Sequence, residues 1–114
     1  MAQRSTTWTI NNATASDFNL QSVNLAHGVW ASNPPQVIKS GARATFTAES
    51  SGFATGDEGS VTYSVSGGNY VFYFNNPFIG QVGYTVTNPS GFDNQTSQQT
   101  GNDQVLSSRC FSIG

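Results

Sequence analysis

Val61, Tyr63 and Val65 alternate with polar Thr62 and Ser64, Ser66-Gly67-Gly68-Asn69 follows as a turn, and Tyr70-Val71-Phe72-Tyr73-Phe74 returns. Successive side chains of a strand point to opposite faces, so period-two patterning around a Gly-rich turn specifies a β-hairpin. In the returning strand Tyr70, Phe72 and Phe74 share one side and Val71 and Tyr73 the other, so both sides are apolar. Such a strand is either covered on both sides or carries a functional outer face.

The same period runs through the rest of the chain. Trp8 and Ile10 share a face, as do Ala44, Phe46 and Ala48 in Arg43-Ala44-Thr45-Phe46-Thr47-Ala48-Glu49. Phe18 and Leu20 fall out of phase with Val23 and Leu25, and a bulge near Gln21-Ser22 would restore the inward face. His27-Gly28-Val29-Trp30 reads as a short strand closed by Ser32-Asn33-Pro34-Pro35, and Val82 to Val86 and Val105 to Ile113 complete the clear strands. The polar stretch from Asn88 to Asn102 is long for a structureless loop, so a polar edge strand is expected near Gly91 to Ser97. No apolar stripe has the 3.6-residue period of a helix. The pattern therefore predicts an all-β fold: one domain over residues 1–114, an antiparallel β-sandwich of eight or nine short strands.

Charge narrows the functional classes. Charged residues make up only 9% of the 114, so the surface is polar but mostly neutral. Arg4, Lys39, Arg43 and Arg109 are scattered along the sequence and the formal net charge is −2. Nucleic-acid binding needs clustered basic residues, and docking on anionic lipid needs a polybasic segment; neither is expected. Cys110 is the sole cysteine, which excludes an intrachain disulfide and favours a packed, inert thiol. Met1 to Thr7 lacks the apolar region of a secretory signal, and no stretch approaches the ~18 apolar residues of a spanning helix. Cytoplasmic synthesis is the expectation, with leaderless export and peripheral membrane attachment compatible with it.

Catalytic chemistry finds little support. His27 is the sole histidine, no ligand spacing marks a metal site, and a nucleophile motif is missing; its readings are structural support or ligand contact. Asp57 and Glu58 are adjacent, so on an extended backbone they diverge. One reading has Asp57 bonding local backbone in a loop and Glu58 facing solvent; the other has Glu58 accepting from a ligand hydroxyl, amine or ammonium. The Gly-rich stretches lack the Lys-Ser/Thr of a phosphate loop. The expectation is a binding protein, not an enzyme, with no catalytic residues, metal or cofactor. Aromatics are its most informative feature. Most belong to a core, but Trp30, Tyr70, Tyr73 and Phe78 also suit a membrane interface or a sugar-stacking surface.

Several segments, in order and spacing, carry a family resemblance. They are Ile10-Asn11-Asn12, Leu20-Gln21-Ser22-Val23-Asn24-Leu25-Ala26-His27-Gly28, Ile38-Lys39-Ser40-Gly41, Ser50-Ser51-Gly52, Gly56-Asp57-Glu58-Gly59-Ser60-Val61 and Tyr73-Phe74-Asn75-Asn76-Pro77-Phe78. With these the chain resembles the aegerolysins, small acidic β-sandwich proteins of fungi and bacteria. The resemblance implies an actinoporin-like sandwich and recognition of sphingolipid-type headgroups. It also implies service as the binding component of a two-part haemolysin or cytolysin with a larger pore-forming partner. Glu58 matches a glutamate close to the family's lipid-binding region, Trp30 and His27 fall in its aromatic segment, and Phe78 stands where the family usually has Trp.

Three readings result. In the first, one end of the sandwich docks on a membrane, with Trp30, Tyr70, Tyr73 and Phe78 as contacts and Glu58 and His27 at the headgroup. The second is a lectin-like module that stacks a glycan on an exposed aromatic. The third is a structural protein whose sheet edges assemble into a homodimer.

Overall fold

The computed structural model describes residues 3–113. Ten strands follow in chain order: β1 (Ser5–Asn12), β2 (Phe18–His27), β3 (Val29–Ser32), β4 (Val37–Ile38), β5 (Arg43–Glu49), β6 (Asp57–Val65), β7 (Gly68–Asn76), β8 (Gly83–Thr87), β9 (Phe92–Gln99) and β10 (Asp103–Ser112). They form two five-stranded sheets, ordered β3-β5-β1-β10-β9 and β4-β2-β6-β7-β8, which face each other as a sandwich. The count exceeds the expected eight or nine because the two-residue β4 is a strand in its own right. The sheets are also not wholly antiparallel: β1 runs parallel to β10, Ser5 opposite Asp103 through Asn12 opposite Cys110. A pairing between opposite ends of the chain leaves no trace in local periodicity.

The hairpin forms as its pattern dictates. Ser66 and Gly67 make the two-residue loop, both with positive φ (45° and 82°), the backbone twist that suits tight hairpins. Asp57 to Val65 alternates buried and half-buried without a break, and in β7 Tyr70, Phe72 and Phe74 are fully buried while Val71 and Tyr73 face outward. The core of Trp8, Ile10, Phe18, Phe46, Tyr63, Tyr70, Phe72, Phe74 and Leu106 lies between the sheets. Burying each large side chain contributes ~1.5–3 kcal/mol, and edge-on ring contacts such as Trp8 with Phe72 at 5.3 Å add direction to the packing.

Several polar groups inside this core are matched. Trp8 Nε1 donates to Ser108 Oγ at 2.9 Å, and Ser108 also bonds Thr96 Oγ1 at 2.7 Å. Buried Cys110 therefore shares its inward face with a serine whose bonds are made. Asn12 Nδ2 donates to the Ser16 and Ile38 carbonyls.

Two irregularities interrupt β2, the second of them at the site end. The expected bulge is present, with a register shift between Leu20 and Ser22, and a second lies between Leu25 and His27. Val23 pairs with buried Val61 but remains 43% exposed, because β4 covers only Phe18 and Asn19 and leaves the rest of β2 as an edge. The expected strand from His27 to Trp30 is instead broken at Gly28, where φ is 98°. There the chain leaves one sheet and enters the other. A Cβ at Gly28 would lie 2.5 Å from the Glu49 carbonyl oxygen, so the corner needs glycine. The polar edge strand expected near residues 91–97 is β9, at the margin of its sheet.

Candidate functional site

Register builds the site. Asp57 pairs with Asn76, which sets the loop 50–56 beside the loop 77–82 at one end of the sandwich. The two loops touch through Gly56, where a Cβ would meet the Asn76 carbonyl oxygen at 2.4 Å and Pro77 Cα at 2.6 Å. Between them opens a cavity of about 570 Å³, lined by His27, Ala54, Glu58, Phe78 and Ile79 among others.

Glu58 is the side chain with the most chemistry here. Alternation sends it outward while Asp57 goes in. Tyr73 donates its hydroxyl proton to Glu58 Oε2 at 2.5 Å, and this bond is the main reason that the phenol's pKa rises. The second oxygen, Oε1, lies 3.9 Å from His27 Nε2, a contact that is ionic only when the imidazole is protonated. His27 pairs directly with Glu58 after the second bulge, which re-aims the histidine at the cavity. Its side chain is 69% exposed, against 29% for Glu58. One carboxylate oxygen is thus fixed and the other is open to a cationic or hydroxylic ligand.

Behind it, Asp57 is 1% exposed and belongs to β6, not to a loop that bonds local backbone. Neither of its oxygens has a hydrogen-bond partner among the described residues, and neither has the Oδ1 of Asn76 opposite. Burial pushes the carboxyl up to about 6, and the Asp103 charge adds to the rise. Thr6 Oγ1 lies 3.0 Å from Gln104 Oε1 and is its donor.

The aromatic expectations divide. Phe78 lines the cavity, with the Arg4 guanidinium 4.6 Å above its ring and Arg4 Nη2 donating to the Phe78 carbonyl at 3.0 Å. Tyr73 reaches the site through Glu58. Trp30 is half-buried, edge-on to Phe46 at 5.8 Å and Phe74 at 6.1 Å, and is not among the lining residues. Tyr70 requires a correction. It is 0% exposed and donates to the Asp93 carbonyl at 2.7 Å, so it is a core residue and not a surface contact. Its parity with Phe72 and Phe74 puts it inside.

Two residues of the rim went unnoticed in the sequence. Ile79, which lines the cavity, is 86% exposed, and Phe53, next in sequence to the lining residue Ala54 and itself bordering a separate hollow with Val29 and Glu49, is 88% exposed. Both sit on loops, where no periodicity marks them; the available signal was a large apolar residue among Gly, Ser and Asn. Cys110 lies away from the cavity, fully buried, with its thiol pushed up to about 12 by burial.

No protein-family model matches the sequence. An uncharacterized protein of Dictyostelium discoideum is 35% identical over 91 residues, which cover 78% of this chain and 8% of that protein. The chain thus matches a small part of a much longer relative. Among solved structures, the crystal structure of the lipid binding protein Nakanori superposes with a TM-score of 0.84 at 14% identity, covering 99% of this chain and 73% of that one. The two share a fold.

Proposed function

We propose that this chain is an aegerolysin-like membrane-lipid recognition module that acts by binding, not by catalysis. The observation that carries the reading is the pairing of Phe53 and Ile79, both almost fully exposed, on the two loops that flank a cavity with the Glu58 carboxylate in its wall. Solvated loops seldom offer two large apolar side chains beside a cleft with a carboxylate in its wall, and such an arrangement suits an interface that is apolar below and polar above. The rim residues enter the interfacial region. Glu58, held by Tyr73, accepts from the ammonium of a zwitterionic, sphingolipid-type headgroup, and His27 borders it. The weak net charge of −2 agrees with a neutral headgroup rather than an anionic one.

The fold likeness to a lipid binding protein supports the reading, as do the matching segments around Glu58 and Phe78. Loss of membrane integrity would then need a larger pore-forming partner, with this chain as the peripheral binding component. Co-sedimentation with vesicles containing sphingomyelin, sphingomyelin with sterol, or ceramide phosphoethanolamine tests the proposal, against vesicles of phosphatidylcholine alone. Saturable binding to at least one sphingolipid vesicle is expected. Absence of binding across the panel would overturn it.

A further inference from the structure

Arg43 and Arg109 lie 66 residues apart in sequence, yet the register of one sheet sets them in a single row. Asn11 of β1 pairs with Arg43 of β5 on one side and with Arg109 of β10 on the other, and Arg109 pairs in turn with Gln95 of β9. Cross-strand partners point to the same face, so Arg43, Asn11, Arg109 and Gln95 form a line across the outer surface of the sheet. Two strand spacings separate the arginine backbones, about 10 Å.

The next row over is Thr45, Thr9, Ser107 and Ser97 by the same register. These rows border a shallow cavity of about 380 Å³ lined by both arginines and by Thr9, Asn11, Gln95 and Ser107 among others. It lies on a sheet face, apart from the cleft beside Glu58, and shares no lining residue with it.

Charge sets these arginines apart from the other basic residues. Lys39 lies 3.4 Å from Asp17, and Arg4 is bound to the carbonyls of Gln3 and Phe78. Neither Arg43 nor Arg109 has a carboxylate within 4 Å among the described residues, and both are exposed. Arg109 is steadied by the Phe111 ring at 5.2 Å. The carboxylate nearest in register, Asp93, stands one row further out, opposite Phe111, and its Oδ1 accepts from Asn88 Nδ2 and the Asn94 amide. In a chain of net charge −2, two guanidinium groups without an ion pair on one face, with Asp93 the one carboxylate in an adjoining row, make a local positive field.

We infer that this face binds an anionic oligosaccharide, with Arg43 and Arg109 each taking a sulfate or carboxylate and the hydroxyl and amide rows taking sugar hydroxyls. The guanidinium fork matches planar or tetrahedral oxyanions by paired N–H bonds. Asn11, Gln95, Thr9 and Ser107 supply donors and acceptors at close spacing, as a polyol requires. Nucleic acid fits less well, because the face carries one half-buried aromatic, Phe111, already covered by Arg109, where single-strand binders use several stacking rings, and it lacks the denser charge of duplex binders. A membrane fits less well too, because the large apolar residues exposed beyond 80% are on the cleft loops and not here.

The test is calorimetric titration at low salt with a heparin-derived hexasaccharide, a dextran oligomer of equal length, inorganic sulfate and a single-stranded oligonucleotide of equal charge. Saturable binding is expected for the sulfated sugar and none for dextran. The R43Q/R109Q double variant should lose at least tenfold in that affinity and keep its circular dichroism, since both side chains are exposed. E58Q should bind the sugar as the parent does, which separates this site from the lipid cleft. Undiminished affinity in R43Q/R109Q, failure of the sugar to bind, or equal or tighter binding of inorganic sulfate or the oligonucleotide would overturn the inference.

Discussion

Tyr73 and Glu58 lie on neighbouring strands, and the tyrosine hydroxyl donates to Glu58 Oε2 over 2.5 Å, leaving Oε1 turned toward the cavity and His27. A flexible glutamate near a strand end would lose side-chain entropy on binding a ligand. Here much of that ordering is done before the ligand arrives. E58Q keeps the shape and removes the charge, so vesicle affinity should fall by roughly tenfold or more, the ~1.5–3 kcal/mol typical of a hydrogen bond to a charged group. Its melting temperature should stay within a few degrees of the parent. The Tyr73 phenol should also titrate at lower pH in E58Q, because the Glu58 bond is the first cause of its upward shift; ultraviolet absorbance against pH reads this directly.

The Asp57 carboxyl predicts the pH dependence of stability. Its pKa is raised from 3.8 to about 6 in the folded state, chiefly by burial. The folded protein therefore holds a proton that the unfolded chain has released between those values. Stability from this group is complete below pH 4 and is lost as pH rises through 6, by an amount on the order of 3 kcal/mol. D57N should be more stable than the parent at pH 7, since it removes a buried charge whose oxygens have no hydrogen-bond partner among the described residues. Urea unfolding at pH 4, 5, 6 and 7 checks both points: the parent should weaken over this range relative to D57N.

Much of the fold was legible because period-two alternation is a local signal. The hairpin of β6 and β7, the bulge after Leu20, the polar edge strand and the divergence of Asp57 from Glu58 all come from residues a few positions apart. What was not legible is set by distant partners. The parallel pairing of β1 with β10 joins residues 98 positions apart. The sheet change at Gly28 depends on the Glu49 carbonyl. Alternation separated Tyr70 from Tyr73 but did not say which faced the core. At the site, Glu58 and Phe78 were readable from their segments, whereas Phe53 and Ile79 owe their meaning to two loops that meet only in the fold.

Gly56 offers a way to disturb the cleft without touching its chemistry. A methyl group there would meet three backbone atoms of residues 76–78 at 2.4 to 2.9 Å, so the loops must separate. G56A should cost ~1–3 kcal/mol, the usual range for overpacking. It should also weaken vesicle binding while leaving the outer face of the opposite sheet unchanged. Chemical denaturation with parallel vesicle and hexasaccharide titrations would read both effects.

Under the proposed function the loop end meets the membrane through Phe53 and Ile79. Both are almost fully exposed, so F53S/I79S should fold as the parent does. Removing two apolar groups worth ~1.5–3 kcal/mol each on burial should weaken association with sphingolipid vesicles by roughly 100-fold or more. Vesicle co-sedimentation of the parent and F53S/I79S, with matched thermal melts, is the direct measurement. Loss of binding at unchanged melting temperature is predicted. Equal binding by the two proteins would contradict the account.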